Sequence, residues 1–446
     1  MTERPYHESL RPRFHFTAKN GWLNDPNGLV FYQGEYHLFF QHNPLGNDWG
    51  NMTWGHATSR DLLHWEQLPN AICPDAMGTI FSGSAAVDWQ NTAGFQAGPE
   101  KVIVAAYTAA GATSALFCQC LAYSNDCGRT WQKYSGNPVL PNITGHADRD
   151  PKIFWHAATG QWVMVLCLRH PQSFGFFTSP DLKTWKQAST LTDFFECPDL
   201  IELAVEGDPG NKKWVLLEAS GQYLIGRFDG QSFQAETEKQ SLDFGKFFYA
   251  PQTFNDIPAG DGRKIQLAWM RGGKYPDMPF NQQMAFPCEL TLQSSGAGLH
   301  LRRRPVREIE ALRGRAVRLQ DLELKPGSLP VAELPGCPLD IAVTFAIGAA
   351  AEVGLDVGGE AIRYNVRDAV LSCMGGSAPL LPESGRIRLR VLADRTSIEV
   401  FGNDGRVVLS SCFLPAAADA GVSLFAAGGP ARVTSFEAYV LNGIWP

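Results

Sequence analysis

Three carboxylates in this 446-residue chain sit beside prolines, in segments that ordinary packing seldom demands. Asp25 lies in Trp22-Leu23-Asn24-Asp25-Pro26-Asn27-Gly28, Asp150 in Arg149-Asp150-Pro151, and Glu196 in Glu196-Cys197-Pro198-Asp199. Each alone has a structural reading. Asn-Asp-Pro-Asn-Gly is rich in turn formers, Arg149-Asp150 reads as a local ion pair, and Glu196 as a strand-end acid in water. Turned together into one crowded space they read differently, because burying an unpaired charge costs several kcal/mol. Paired carboxyl groups suit glycosidic bond cleavage: one attacks or stabilises the anomeric carbon, and the other, kept protonated, donates to the leaving oxygen. Asp150, held ionised beside Arg149, would hydrogen-bond sugar hydroxyls and favour an oxocarbenium-like transition state. The aromatic-rich stretch from Phe39 through Trp49, Trp54 and His56 would offer apolar faces to sugar rings.

What must position these acids is a repeated structure. A strand end, a turn and a tryptophan recur in Thr58-Ser59-Arg60-Asp61-Leu62-Leu63-His64-Trp65, in Tyr123-Ser124-Asn125-Asp126-Cys127-Gly128-Arg129-Thr130-Trp131 and in Thr178-Ser179-Pro180-Asp181-Leu182-Lys183-Thr184-Trp185. A weaker copy, Arg227-Phe228-Asp229-Gly230-Gln231-Ser232-Phe233, keeps the turn and puts Phe for Trp. Periods of roughly 40–60 residues with several short strands per unit mark a β-propeller, whose blades cannot bury their faces singly. Five polar segments run out of phase with these turns: Asn24-Asp25, Phe81-Ser82-Gly83-Ser84, Arg149-Asp150-Pro151, Glu196-Cys197-Pro198-Asp199 and Phe248-Tyr249-Ala250-Pro251-Gln252. One such segment per blade, on the strand lining the channel, predicts five blades and one shared mouth. Long helical periodicity is absent, which disfavours doubly wound α/β folds and (β/α)₈ barrels.

The pattern changes near Arg302-Arg303-Arg304-Pro305, where the triple arginine reads as a solvated strand end. The expected all-β organisation is a five-bladed propeller over 1–305, a linker over 306–325 and a β-sandwich over 326–446, the last from alternations such as Arg386-Ile387-Arg388-Leu389-Arg390-Val391. A formal net charge of −7 with mixed signs leaves no basic patch for nucleic acid, and no run approaches the roughly 18 apolar residues of a membrane span. Ten cysteines without a CxxC pair or a metal-ligand spacing read as thiols in a reducing compartment, Cys197 among them as a packing residue. Met1 to Phe16 lacks the apolar core of a secretory signal, so the expected location is the cytoplasm.

The three acid motifs, together with Phe40-Gln41, Trp49-Gly50-Asn51-Met52-Thr53-Trp54-Gly55-His56-Ala57 and Phe81-Ser82-Gly83-Ser84, resemble the ordered motif set of glycoside hydrolase family 32, the β-fructosidases. Asp394-Arg395-Thr396-Ser397-Ile398-Glu399-Val400-Phe401 is similar to that family's C-terminal sandwich, so the resemblance covers nearly the whole chain. It implies a propeller plus sandwich and retaining hydrolysis of fructosyl linkages with no metal or organic cofactor. Asp25 would be the nucleophile, Glu196 the acid and then the base, and Asp150 the transition-state stabiliser. Asn24, Gln41, Trp49, Phe81, Ser82 and Arg149 would surround the terminal fructose, with Trp269 as a further wall. Phe81 to Phe95 and Met278 to Leu290 look closer to levanases and exo-inulinases than to sucrose-6-phosphate hydrolases or plant invertases, which implies removal of terminal β-fructose from sucrose, fructo-oligosaccharides, levan or inulin. Alternatives are a sucrose-6-phosphate hydrolase, a fructosyltransferase using the same covalent intermediate, and a sugar-binding protein without activity, whose mark would be a lost acid.

Overall fold

A computed structural model describes residues 5–111, 117–296, 298–332, 334, 336–415 and 421–445, so the outermost ends of the expected domains lie outside the described residues. Among these residues the chain forms 34 strands and one short 3-10 helix. The first blade is built from Gly21–Tyr32, Glu35–Asn43, Thr53–Ser59 and Glu66–Ile72. The second takes Thr79–Asp88, Val102–Ala110, Cys118–Ser124 and Gln132–Lys133; the third takes Arg149–His156, Gln161–Arg169, Gln172–Ser179 and Lys186–Thr192. Asp199–Val205, Asp208–Leu217, Gln222–Phe228 and Phe233–Ala235 make the fourth. Phe248–Thr253, Lys264–Met270, Cys288–Ser295 and Gly298–Pro305 make the fifth. The ring closes where Phe280–Asn281 pairs in parallel with Gly21 and Trp22. The chain is thus a five-bladed propeller followed by a sandwich.

The repeated turns are the outer hairpins of four blades. Asp61 accepts the backbone N–H of Leu63 and His64, Asp181 those of Lys183 and Thr184, and Asp229 those of Gln231 and Ser232. In three of them the tryptophan indole closes the turn: Trp65, Trp131 and Trp185 donate to the carbonyls of Leu62, Gly128 and Leu182. An aspartate satisfies turn N–H groups that no ladder can reach, and the ring beside it packs between blades.

The channel is plugged. The Lys152 ammonium stands 2.9 Å from Asp199 and donates to the Thr253 carbonyl, joining the inner strands of the third, fourth and fifth blades. Gln252 accepts from Leu29 N and donates to the Gly83 carbonyl, and Ser84 donates to Pro151 O. These cross-links satisfy backbone groups of the inner strands that no ladder partner reaches.

Two six-stranded sheets form the sandwich around a core that includes Leu339, Val353, Leu389, Val400 and Phe436. The stretch 306–325 is not a linker: Arg307–Leu312 is a 3-10 turn anchored by buried Ile309 and Leu312, and Arg313–Leu324 is a strand paired along Ala431–Leu441. Its charged residues face water on an edge strand, which weakened the alternation in the sequence. Two of the three arginines, Arg302 and Arg303, are likewise buried rather than solvated. Arg303 is 0% exposed and reaches Asp243 and Glu399 between the two domains, because the sandwich packs over the end of the fifth blade.

Candidate active site

Four of the five inner strands break their ladders at the same mouth. In the first blade the register jumps between Leu23 and Pro26, in the second between Phe81 and Gly83, in the third opposite Arg149 and Lys152, and in the fifth between Tyr249 and Gln252. A bulge leaves extra residues unpaired and re-aims their side chains, and proline fits there because no N–H is needed. Pro26, Pro151 and Pro251 occupy these breaks, and Pro198 follows Glu196 and Cys197 ahead of the fourth inner strand. Asp150 (φ +66°), Glu196 (φ +52°), Cys197 (φ +43°) and Ala250 (φ +50°) adopt the left-handed conformation that side chains seldom take, a local strain concentrated at the mouth.

The breaks converge on a cavity of about 450 Å³. All ten residues singled out from the sequence line it: Asp25, Asp150, Glu196, Asn24, Gln41, Trp49, Phe81, Ser82, Arg149 and Trp269. Asp25 accepts from Ser82 Oγ at 2.6 Å and from Asn24 Nδ2 at 3.1 Å, and Asn24 is itself oriented by the Trp22 indole at 2.8 Å. Asp150 accepts from the Cys197 backbone N–H at 3.1 Å, and its own N–H donates to Thr108 Oγ1. Glu196 is clamped on both oxygens, by the Arg149 guanidinium on one and by the Tyr249 hydroxyl at 2.6 Å on the other. The Gln41 side-chain nitrogen is buried and unpaired, a donor available to a ligand.

Burial pushes the Asp25 carboxyl above its ordinary range, and the charge of Glu196 adds to the effect against the hydrogen bonds from Ser82 and Asn24. Asp150 is pushed up to about 7, by burial first and then by Glu196 and Asp25, with Arg149 opposing. Asp25 and Asp150 therefore retain protons that isolated acids would lose. Carboxyl groups in differing environments within one cavity are able to divide acid, base and fixed-charge duties. Among the described residues no group of three or more His, Cys, Asp and Glu has the arrangement of a metal site.

Sequence reasoning missed several lining residues. Tyr249, Phe117, Phe195, Arg271 and Met52 complete the wall; Tyr249 belonged to the fifth polar segment, and its place in the repeat was the available signal. Cys197 is more than packing, since its thiol lies 3.7 Å from both Asp25 and Asp150. Of the aromatic stretch, only Trp49 faces the cavity, 58% exposed and edge-on to Phe81 at 5.9 Å. Trp54, His56 and Phe39 are buried in the seam between the first two blades, with Phe39 stacked on His56 at 4.2 Å, because alternate residues of those strands face inward.

Residues 15–305 match the N-terminal domain of glycosyl hydrolases family 32, and residues 308–440 match that family's C-terminal domain. A levanase of Bacillus subtilis (strain 168) is 41% identical over 99% of this chain and 72% of its own length. An extracellular exo-inulinase of Aspergillus awamori is 31% identical, over 99% of this chain and 96% of its own. The crystal structure of exo-inulinase from Aspergillus awamori superposes with a TM-score of 0.90 at 28% identity, covering 99% of this chain and 100% of that one. That of a fructofuranosidase from Schwanniomyces occidentalis complexed with fructose gives 0.86 at 27% identity, with coverage of 99% and 100%.

Proposed function

Because this chain belongs to glycosyl hydrolase family 32, we infer that it is a retaining exo-β-fructosidase that releases terminal β-fructofuranosyl units from sucrose, fructo-oligosaccharides, levan and inulin. The observation that carries the reading is the gathering of Asp25, Asp150 and Glu196, from three different blades, in one cavity whose floor is closed by the cross-linked channel. A blind pocket receives a chain end and leaves no path for a chain to run through, which accounts for exo rather than internal cleavage.

Asp25 is the nucleophile: it attacks C2 of the fructosyl unit, and the bond to the departing oxygen breaks as Glu196 delivers its proton. Ser82 and Asn24 fix the Asp25 oxygens and leave the carboxylate one productive orientation. Glu196 then takes a proton from water, which displaces Asp25 and releases fructose with its configuration retained. Arg149 and Tyr249 hold Glu196 in place through both steps. Asp150 accepts from sugar hydroxyls and, when ionised, stabilises positive charge developing at C2. Trp49 and Phe81 stand at the rim, where the leaving sugar departs.

One observation favours a second substrate. Arg271 lines the pocket with its guanidinium 4.6 Å from the Tyr249 ring and no carboxylate partner among the described residues, a cation suited to a phosphate outside the fructose site, as in sucrose 6-phosphate. Chromatography of products over time from sucrose, sucrose 6-phosphate, 1-kestose, inulin and levan, with wild type and Asp25→Asn in parallel, tests both. Fructose released one unit at a time by the wild type alone supports the exo-fructosidase. Growing oligosaccharides would mean transfer, and turnover of the phosphorylated sugar alone would replace the substrate assignment.

A further inference from the structure

The five inner strands all begin at the acid mouth, so their far ends converge at the opposite one. From Asp150 to Trp155 is about 17 Å along an ideal strand, with the Lys152–Asp199 cross-link between. At that far mouth lies a separate cavity of about 290 Å³. Its walls are aromatic: Phe154 and Trp214, with ring centroids 5.6 Å apart, beside Trp155 and the half-exposed Trp89. Trp89 is held rigid at the rim, since its indole donates to Asp256 Oδ1 at 2.9 Å while the other oxygen of Asp256 accepts the Val87 N–H.

The polar complement is equally defined. The Lys264 ammonium lines the cavity, is largely buried and makes no hydrogen bond or ion pair among the described residues. Burial, and then the charge of Lys152, lowers its pKa, as expected for a cation short of acceptors. Glu202 faces it from the fourth inner strand with its charge partly met by Lys212 at 3.1 Å, and Asp256 is satisfied by its two N–H donors. Charges of both signs around the cavity disfavour an anion or a cation as occupant. Flat aromatic faces flanked by an unpaired donor and a carboxylate acceptor suit the apolar face and the hydroxyl edge of a sugar.

We propose that the far mouth of the propeller is a second, non-catalytic carbohydrate site that takes one neutral sugar ring, stacked on Trp89 and hydrogen-bonded by Lys264 and Glu202. The two sources of such a ring are a free monosaccharide and the end of a fructan chain; a chain end held there would tether polymer to the enzyme on the face away from the chemistry.

Titration calorimetry of the full chain carrying Asp25→Asn, with fructose and with an inulin-type oligosaccharide as probes, tests this. Two binding events per chain are expected with the oligosaccharide. Adding Trp89→Ala removes one of them or weakens it at least about tenfold, and Lys264→Met weakens the same one. The second event appearing with fructose identifies a free-sugar site, and its appearance with the oligosaccharide alone identifies a chain-end site. In an otherwise native chain, Trp89→Ala leaves kcat/KM for sucrose within about twofold, which establishes that the fold is intact. A single event untouched by both substitutions overturns the proposal. A single event that Trp89→Ala abolishes would instead count against the catalytic pocket and leave this site standing.

Discussion

Two clusters of buried acids in this molecule have opposite electrostatic fates. Between propeller and sandwich, Asp394 and Glu399 are 0% exposed, as is the Asp243 side chain, yet cations and N–H donors surround them. His15 bridges Asp394 at 2.8 Å and Glu399 at 2.9 Å, Arg303 reaches Glu399 and Asp243, and the N–H groups of Arg13, Phe14 and Phe286 fill remaining lone pairs. Burial pushes Asp394 and Glu399 up, but these partners outweigh it and both carboxyls sit below their usual range. Asp243 alone stays raised, by burial. At the active site Arg149 reaches Glu196 and Asp150 but no cation pairs with Asp25 among the described residues, and Asp25 and Asp150 are raised. The lesson is that burial does not mark function; the number of charges left without a counter-charge does.

The largest effect expected from this contrast is on turnover. Asp25→Asn should lower kcat by on the order of 10⁴-fold or more while the protein stays folded, measured with sucrose. Glu399→Gln should do the reverse, destabilising the protein by about 3–5 kcal/mol in denaturant titration because Arg303 and His15 lose a buried partner. Tyr249→Phe removes one charge-assisted hydrogen bond from Glu196, and kcat/KM should fall by about tenfold to a hundredfold with little change in melting.

Thermal melting against pH separates the two clusters further. His15 is raised to about 9 from an ordinary 6.5, against its burial, by Asp394 and Glu399. Its stabilisation is complete below pH 6.5 and lost as pH rises toward 9, so His15→Gln should flatten that part of the curve. Asp150, raised from 3.8 to about 7, has the same sign in a lower window: the native state binds the proton more tightly, and stability is lost as pH rises through 3.8 to 7. Asp150→Asn should remove that loss and, as the smallest of these effects, raise the melting temperature above pH 7 by roughly 1–3 °C.

The active site was more legible in the sequence than the domain interface, for a physical reason. A bulge favours proline, small residues and turn formers, and four blades repeat it, so Asp25-Pro26, Ser82-Gly83 and Asp150-Pro151 stand out from the strand pattern. The outer turns were legible through the Asp and Trp that close them. Arg303 carries no such signal: alone it is one more arginine, and only the approach of Asp243 and Glu399, 60 and 96 positions away, makes it a buried residue. Tyr249 was visible as part of a repeated segment, but its contact with Glu196 depends on how the fourth and fifth blades meet. Trp54 and His56 misled because aromatic content is the same in a sugar platform and in the seam between blades.

The most direct test of the account measures sucrose turnover and melting temperature on one preparation of Asp25→Asn, beside wild type. The contrast between the clusters predicts that turnover vanishes while the melting temperature holds or rises, since the substitution removes a poorly compensated buried charge. Turnover near that of wild type, or a fall in melting as large as that of Glu399→Gln, would contradict it and make Asp25 a structural acid.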